Sequence, residues 1–272
     1  MTPQKPTFLI IGSAKCGTTA LASILSNHPD CCMSRPKEVK FFLDTIDYKP
    51  NNPDYEKGWD WYQQAFAHYN GEAIIGEGTP NYSARTRSPN TAKRVYGFNP
   101  NMKLIYMVRN PLERQVSAWK MEYTFGQSEA FPPIPEYEWA LKGLNYWMQM
   151  QREQGQWNDC CYGYQLEAYE AFFPRESICV SFLEDWKHSK DAEISRILRF
   201  LDLDPTLLPE GIQESANRGA DRKISRPLVK KLEQMLLFAL LFNICPQAGE
   251  TGHEKISPIK QSFIQRVKCH RL

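Results

Sequence analysis

The sequence predicts an α/β fold in which a central parallel sheet is covered by helices. Three observations carry that reading. Short apolar runs of strand type recur near residues 7–12, 73–77, 103–108 and 177–182, with helical patterns between them. The runs are apolar throughout instead of alternating, as strands buried on both faces of a parallel sheet are. Two of the runs pass directly into a small-residue or proline turn and then a helix, the repeating unit of such sheets.

Taken in order, Phe8 to Ile11 are large or β-branched apolar residues that form the first strand. Gly12 and Gly17 let the chain turn tightly, and a helix over 18–27 starts at Thr18 and Thr19, before His28 and Pro29. Thr45 to Lys57 is rich in Pro, Asn and Asp and reads as a loop. Helix 57–68, strand 73–77 and helix 88–97 follow. Lys103 to Val108 form a buried-type strand, and Pro111 opens a helix over 111–123. Phe125 to Pro135, with Gly126 and three prolines, is a second loop. Beyond it come helices 136–150 and 160–172, strand 177–182, helix 190–201, a polar basic loop from Asn217 to Lys223, and a last helix over 227–243. No repeat or low-complexity tract interrupts this order.

The chain has 272 residues, 42% apolar and 24% charged, enough for one substantial α/β core. A single domain over 1–272 is expected, with its core at about 7–225 and a C-terminal helix and tail at about 226–272. The formal net charge of +2 gives no global positive field for nucleic acid or for a highly sulfated polymer. The first strand begins by about Phe8, leaving no room upstream for a signal peptide or membrane anchor. The longest apolar run, Met235 to Cys245, falls short of the roughly 20 residues a bilayer span needs. A cytoplasmic location is therefore expected, without membrane or nucleic-acid partners. Eight cysteines include adjacent pairs at 31–32 and 160–161 but no Cys-x-x-Cys, so they read as reduced thiols and not as a zinc or redox site. None of the five histidines has metal-ligand spacing, and no metal is expected.

Chemistry concentrates where two strands end. Gly12 to Thr19 reads as a phosphate cradle, because a helix start offers N–H groups and a positive dipole end to an anion. The spacing of Gly12 and Gly17 matches the ATP-binding P-loop. That motif places Lys directly after the second Gly, whereas here Lys15 lies inside the loop and Thr18 follows Gly17. The strand 103–108 ends in Arg109, where an ATPase carries an aspartate for magnesium. Arg109, followed eight residues on by Ser117, suits recognition of a further phosphate. Two anion sites on adjacent strand ends imply a nucleotide with phosphates at both ends. Each residue has a structural alternative: Arg109 in an ion pair, Ser117 bonding its own helix backbone, Cys16 as a small loop residue whose N–H matters more than its sulfur.

These residues carry a resemblance. Lys15 to Thr19, Arg109 to Ser117, Lys37 to Phe42 and Gly76 to Tyr82, in that order, resemble the signatures of sulfotransferases that use 3′-phosphoadenosine 5′-phosphosulfate (PAPS), of the Golgi-type and bacterial branch that includes heparan sulfate sulfotransferases. The stretch Gly163 to Tyr169 and the pair Glu184 and Asp185 extend the likeness. The resemblance implies a P-loop-like three-layer fold with a central parallel sheet flanked by helices. It implies that Lys15, Cys16, Gly17, Thr18 and Thr19 hold the 5′-phosphosulfate, and that Arg109 and Ser117 hold the 3′-phosphate. Arg218 and Arg222 would close over the nucleotide, a salt-bridged surface loop being the alternative for both. Glu38 would be the general base, a solvated charge beside Lys37 and Lys40 being the alternative, and Lys40, Phe42, Thr79 and Tyr82 would line the acceptor. The product would be adenosine 3′,5′-bisphosphate (PAP). Many relatives carry a lysine where this chain has Gly78, so a different acceptor is expected. The small net charge favours a small-molecule metabolite or simple glycan, with a hydroxyl or amine as the group modified. A P-loop kinase-like phosphotransferase and an inactive nucleotide-binding module are the alternatives.

Overall fold

Phe8–Gly12 form the first strand, β1, and all five of its residues are buried. Full burial of each Leu or Ile here contributes roughly 1.5–3 kcal/mol, which explains why the run carries no polar residue. The structure is a computed structural model that describes residues 5–46, 49–50, 53–130 and 133–209. Four further strands complete the main sheet: β2 (Cys31–Met33), β3 (Ile74–Glu77), β4 (Lys103–Val108) and β5 (Ile178–Phe182). Every pairing in it is parallel, in the order β2-β3-β1-β4-β5. Phe8 stands opposite Gly76 on one side and Lys103 on the other. Gly76 is required there, because a side-chain carbon at 76 would lie 2.4 Å from the Phe8 ring.

The longer helices are α1 (Thr18–Leu25), α2 (Thr91–Phe98), α3 (Pro111–Gly126), α4 (Pro135–Leu141), α5 (Leu144–Glu153), α6 (Tyr162–Glu170) and α7 (Leu183–Phe200). The result is the expected α/β fold, with a central parallel sheet flanked by helices. All strands of the sheet end on one edge, so the loops after Gly12, Met33, Glu77 and Val108 share it. The chain passes from β1 to β2 and β3 on one side, then to β4 and β5 on the other. The crevice at such a reversal is where ligands of open α/β sheets collect.

The four predicted strands are all present. β2 was not anticipated; it is only three residues long, too short for a periodic signal, and gains its order from pairing with β3. The helix expected over 136–150 is two helices, α4 and α5, separated at Gly143, whose φ of 103° suits glycine. The helix expected over 190–201 begins earlier, at Leu183, with a kink at Ser189. Helix 57–68 is realised as Gly58–Tyr62 continued by a 3-10 turn over Gln63–Phe66. The last predicted helix, 227–243, lies outside the described residues.

The described residues group into two compact units, one running to Arg109 and resuming at Ala168, the other spanning Asn110–Glu167. The first holds the sheet. The second has its own core, in which Ala118, Ala140, Leu144, Trp147 and Met148 are buried together. Arg114 and Asp159 form a buried ion pair at 3.4 Å within it. Its helix α3 is capped by Asn110, whose Oδ1 accepts from the N–H groups of Leu112 at 2.9 Å and Glu113 at 3.4 Å. Asn110→Ala is expected to cost about 1 kcal/mol, the usual worth of an N-cap side chain. Urea denaturation of the two proteins checks this, and equal midpoints would show the cap to be idle.

Candidate active site

The loop from Ser13 to Gly17 is built to leave a concave backbone surface at the end of β1. Its first residue is tied across the sheet, Ser13 N–H donating to the Met107 carbonyl at 2.7 Å. Lys15 has a φ of 69° and Gly17 one of 89°, both in the left-handed region. A non-glycine residue there is uncommon and marks a site under constraint. A side-chain carbon on Gly17 would come within 2.9 Å of Leu183, and one on Gly12 within 2.2 Å of Ser83 Oγ. Both glycines are therefore needed for close packing as well as for conformation. Gly17 is the residue before α1, so the first N–H groups of that helix face the loop. Thr18 is buried, Thr19 exposed, Lys15 half-buried, and Cys16 fully buried.

Arg109 meets this loop. Its Nη1 donates to the Lys15 carbonyl at 3.5 Å, so the guanidinium and the cradle are in contact. Two of the predicted anion-binding elements thus converge on one strand-end edge. Ser117 is half-buried on the second turn of α3, in the other unit. Arg218 and Arg222 lie outside the described residues.

The predicted base segment follows β2 and has no regular secondary structure from Val39 to Phe42. Side chains of a second segment, Glu77 to Tyr82, hold it. Val39 N–H donates to Glu77 Oε2 at 3.0 Å, Lys40 N–H to Thr79 Oγ1 at 3.1 Å, and Phe42 N–H to Tyr82 Oη at 3.3 Å. Tyr82 and Thr79 in turn donate their hydroxyls to Glu77, and Tyr169 donates to the Tyr82 carbonyl at 2.9 Å. The far end of the segment is anchored by Phe41, stacked on Tyr62 with ring centres 4.3 Å apart, and by Phe42, whose ring lies 5.3 Å from Phe98. Phe41, Phe42, Thr79 and Tyr82 are all buried. Lys40, at φ 61°, is half-buried.

Glu38 is left pointing outward from this laced segment, its side chain 42% exposed. Lys37 Nζ lies 3.1 Å from Glu38 Oε1 and 3.4 Å from Thr18 Oγ1 on α1. The candidate base and the start of the cradle helix are therefore linked through one ammonium group. The arrangement offers backbone N–H groups, two cations and a carboxylate on one edge. Such a set can bind an anion such as a phosphate group.

Glu77 is the residue that sequence reasoning passed over. Burial pushes its carboxyl up to about 7, against the pull of its donors Tyr82, Val39 and Thr79, while Tyr62 faces the same carboxyl. The available signal was a carboxylate closing an apolar strand between Gly76 and Gly78, a costly place for a charge unless it is well bonded. Elsewhere burial raises the thiols of Cys31 and Cys179, and that of Cys32 to about 11, which makes them inert and not nucleophilic. Among the described residues, no group of three His, Cys, Asp or Glu is placed to hold a metal ion, and no helix is long and apolar enough to cross a membrane.

The fold is that of an α/β protein whose strand-end edge carries a candidate anion site beside a candidate acid-base carboxylate. The chain belongs to the sulfotransferase domain family, which it matches over residues 5–222. It is 34% identical over 132 residues to the membrane-associated sulfotransferase kil1 of Dictyostelium discoideum, a match covering 47% of this chain and 26% of that protein. It is 25% identical over 268 residues to heparan sulfate glucosamine 3-O-sulfotransferase 5 of Mus musculus and of Homo sapiens, covering 94% of this chain and 66% of each relative. The chain thus spans about a quarter of the first relative's length and just under two thirds of the second's. Among solved structures, a sulfotransferase from Alicyclobacillus acidocaldarius superposes with a TM-score of 0.63 at 24% identity, over 88% of this chain and 93% of that one. Mouse sulfotransferase SULT7A1 complexed with PAP does so with 0.52 at 12% identity, over 99% and 91%. These structures share its fold.

Proposed function

We propose that this protein transfers a sulfuryl group from PAPS to a hydroxyl or amine of a small-molecule metabolite or simple glycan. The reading is supported by family membership together with one observation: Arg109 contacts the Lys15 loop, so that two candidate phosphate-binding elements adjoin each other at the strand ends. In this reading the N–H groups from Gly17 to Thr19 hold the 5′-phosphate, and Arg109 holds the 3′-phosphate. The donor supplies a sulfur whose bond to the phosphate oxygen breaks, the electron pair staying on phosphate, as the acceptor oxygen or nitrogen bonds to it in line. Glu38 takes the acceptor's proton, which leaves the acceptor atom nucleophilic. Lys15 neutralises charge that develops on the leaving phosphate. Positioning supplies much of the remainder, as in phosphoryl transfer. The long match to a heparan sulfate glucosamine 3-O-sulfotransferase puts glycan hydroxyls first among acceptors to screen.

Calorimetry with PAP, against ATP plus magnesium, tests the donor class. PAP is expected to bind preferentially, and Lys15→Ala or Arg109→Ala to weaken it roughly tenfold or more, the worth of a charge-assisted hydrogen bond. Preferential binding of magnesium-ATP would overturn the reading in favour of a kinase-like phosphotransferase. Tight PAP binding with no transfer from labelled PAPS to a broad acceptor panel would point to a nucleotide-binding module.

A further inference from the structure

Lys37 stands at a junction that the proposed roles leave unused. Its ammonium lies 3.4 Å from Thr18 Oγ1, at the first residue of the cradle helix, and 3.1 Å from Glu38 Oε1. Its backbone is fixed: the carbonyl accepts from Gly78 N–H at 3.1 Å and from Ser34 Oγ at 2.9 Å. Its stem runs over Gly78, where a side-chain carbon would come within 3.2 Å of Lys37 Cε and 3.4 Å of Ile10 Cδ1. The missing side chain at 78 thus leaves the corridor that the lysine stem fills. The side chain retains 23% exposure while its stem packs over Gly78.

We propose that Lys37 is a further catalytic cation, whose ammonium contacts the sulfuryl oxygens of the donor as the group passes from the cradle toward the acceptor beside Glu38. A group moving from the α1 start to an atom within reach of Glu38 crosses the interval that this ammonium spans. Ammonium donors placed where charge is carried in transit stabilise that charge without needing to reorganise. As an ion pair alone, Lys37 with a largely exposed Glu38 would be worth little, so its fixed stem and backbone point to a placed charge. The inference rests on the PAPS reading of the cradle and on Glu38 as the base.

The test compares two ligands that differ only by the sulfuryl group, PAPS and PAP, by calorimetry on the full chain. Lys37→Met keeps the apolar stem over Gly78 and removes the charge. It is expected to weaken PAPS roughly tenfold, as loss of one hydrogen bond to a charged group does, and to leave PAP within about twofold. Lys37→Arg should restore part of the PAPS affinity. Gly78→Ala, which keeps the lysine but crowds its stem, should weaken PAPS in the same selective sense by a smaller factor. Equal loss for both ligands would make Lys37 a general anion attractor and overturn the proposal, as would no loss for either. Failure of the unsubstituted protein to bind PAPS or PAP at all would instead overturn the donor reading beneath it. Circular dichroism of each variant separates these outcomes from misfolding.

Discussion

Glu38→Gln is expected to bind PAP as the unsubstituted protein does and to lose sulfuryl transfer by roughly 10²- to 10⁴-fold, the range that a positioned general base contributes. The expectation follows from where the side chain sits. Its segment is held by three hydrogen bonds that backbone N–H groups donate to Glu77, Thr79 and Tyr82, but Glu38 itself takes no part in that lacing and is 42% exposed. Glutamine keeps the size and removes only the proton acceptor, so the fold and the donor cradle are untouched. The measurement is initial-rate transfer from labelled PAPS, using whichever member of a glucosamine, disaccharide, heparan sulfate and phenol panel the unsubstituted protein modifies. Calorimetry with PAP runs in parallel. Transfer at an unchanged rate would remove Glu38 as the base. Loss of PAP affinity along with rate would mean that the carboxylate acts through the cradle, by way of Lys37 and Thr18, and not on the acceptor.

How much of this site could be read from the chain depended on how local each part is. The strand, turn and helix of the candidate cradle were legible because they are contiguous: an apolar strand, Gly12, Lys15, Gly17 and two threonines follow one another. Arg109 was legible for the same reason, as a charge at the end of a buried strand before Asn110 and Pro111. The contact of Arg109 with the Lys15 carbonyl joins residues 94 apart in sequence, and only the parallel pairing of β1 with β4 brings them together. The Gly143 break escaped the helical pattern because the apolar spacing continues across it, whereas the backbone does not. The lacing of Val39 to Glu77, across 38 residues, left no periodic trace. The same sequence separation hid the corridor that Gly78 opens for Lys37. Local propensity finds strands and turns, whereas side-chain to backbone bonds between two loops depend on the sheet register that sets the loops side by side. Phe42, Thr79 and Tyr82 show the consequence. Read from the motif they line the acceptor, and in the fold they are buried among the groups that hold Glu38 in place.

Glu77 gives the fold a pH dependence whose sign can be worked out. Its carboxyl titrates at about 7 in the folded protein because burial penalises the charged form more than Tyr82, Val39, Tyr62 and Thr79 favour it. In the unfolded chain it titrates near 4.5. Below that lower value both states hold the proton, and the full contribution of the neutral acid to stability is present. Between the two values the unfolded state releases its proton first, so stability falls as pH rises. Above about 7 both states are ionised and the dependence ends. The difference corresponds to a loss of roughly 3 kcal/mol across that window, taking about 1.4 kcal/mol per pH unit. Glu77→Gln carries a neutral side chain of the same shape, still able to accept from Val39, and has no proton to lose. Urea midpoints of both proteins from pH 5 to 8 should therefore diverge, the unsubstituted protein weakening with rising pH and the glutamine variant staying flatter by about that amount. Parallel profiles would show that the carboxyl titrates alike in both states. Glu77→Ala goes further, since it leaves the buried Val39 N–H without its acceptor, at a cost of about 1–3 kcal/mol for that group alone. It also frees the segment that aims Glu38. Its expected signature is a depressed transfer rate with PAP affinity retained, because the Glu77 carboxyl accepts from Val39, Thr79 and Tyr82, which hold the Glu38 segment.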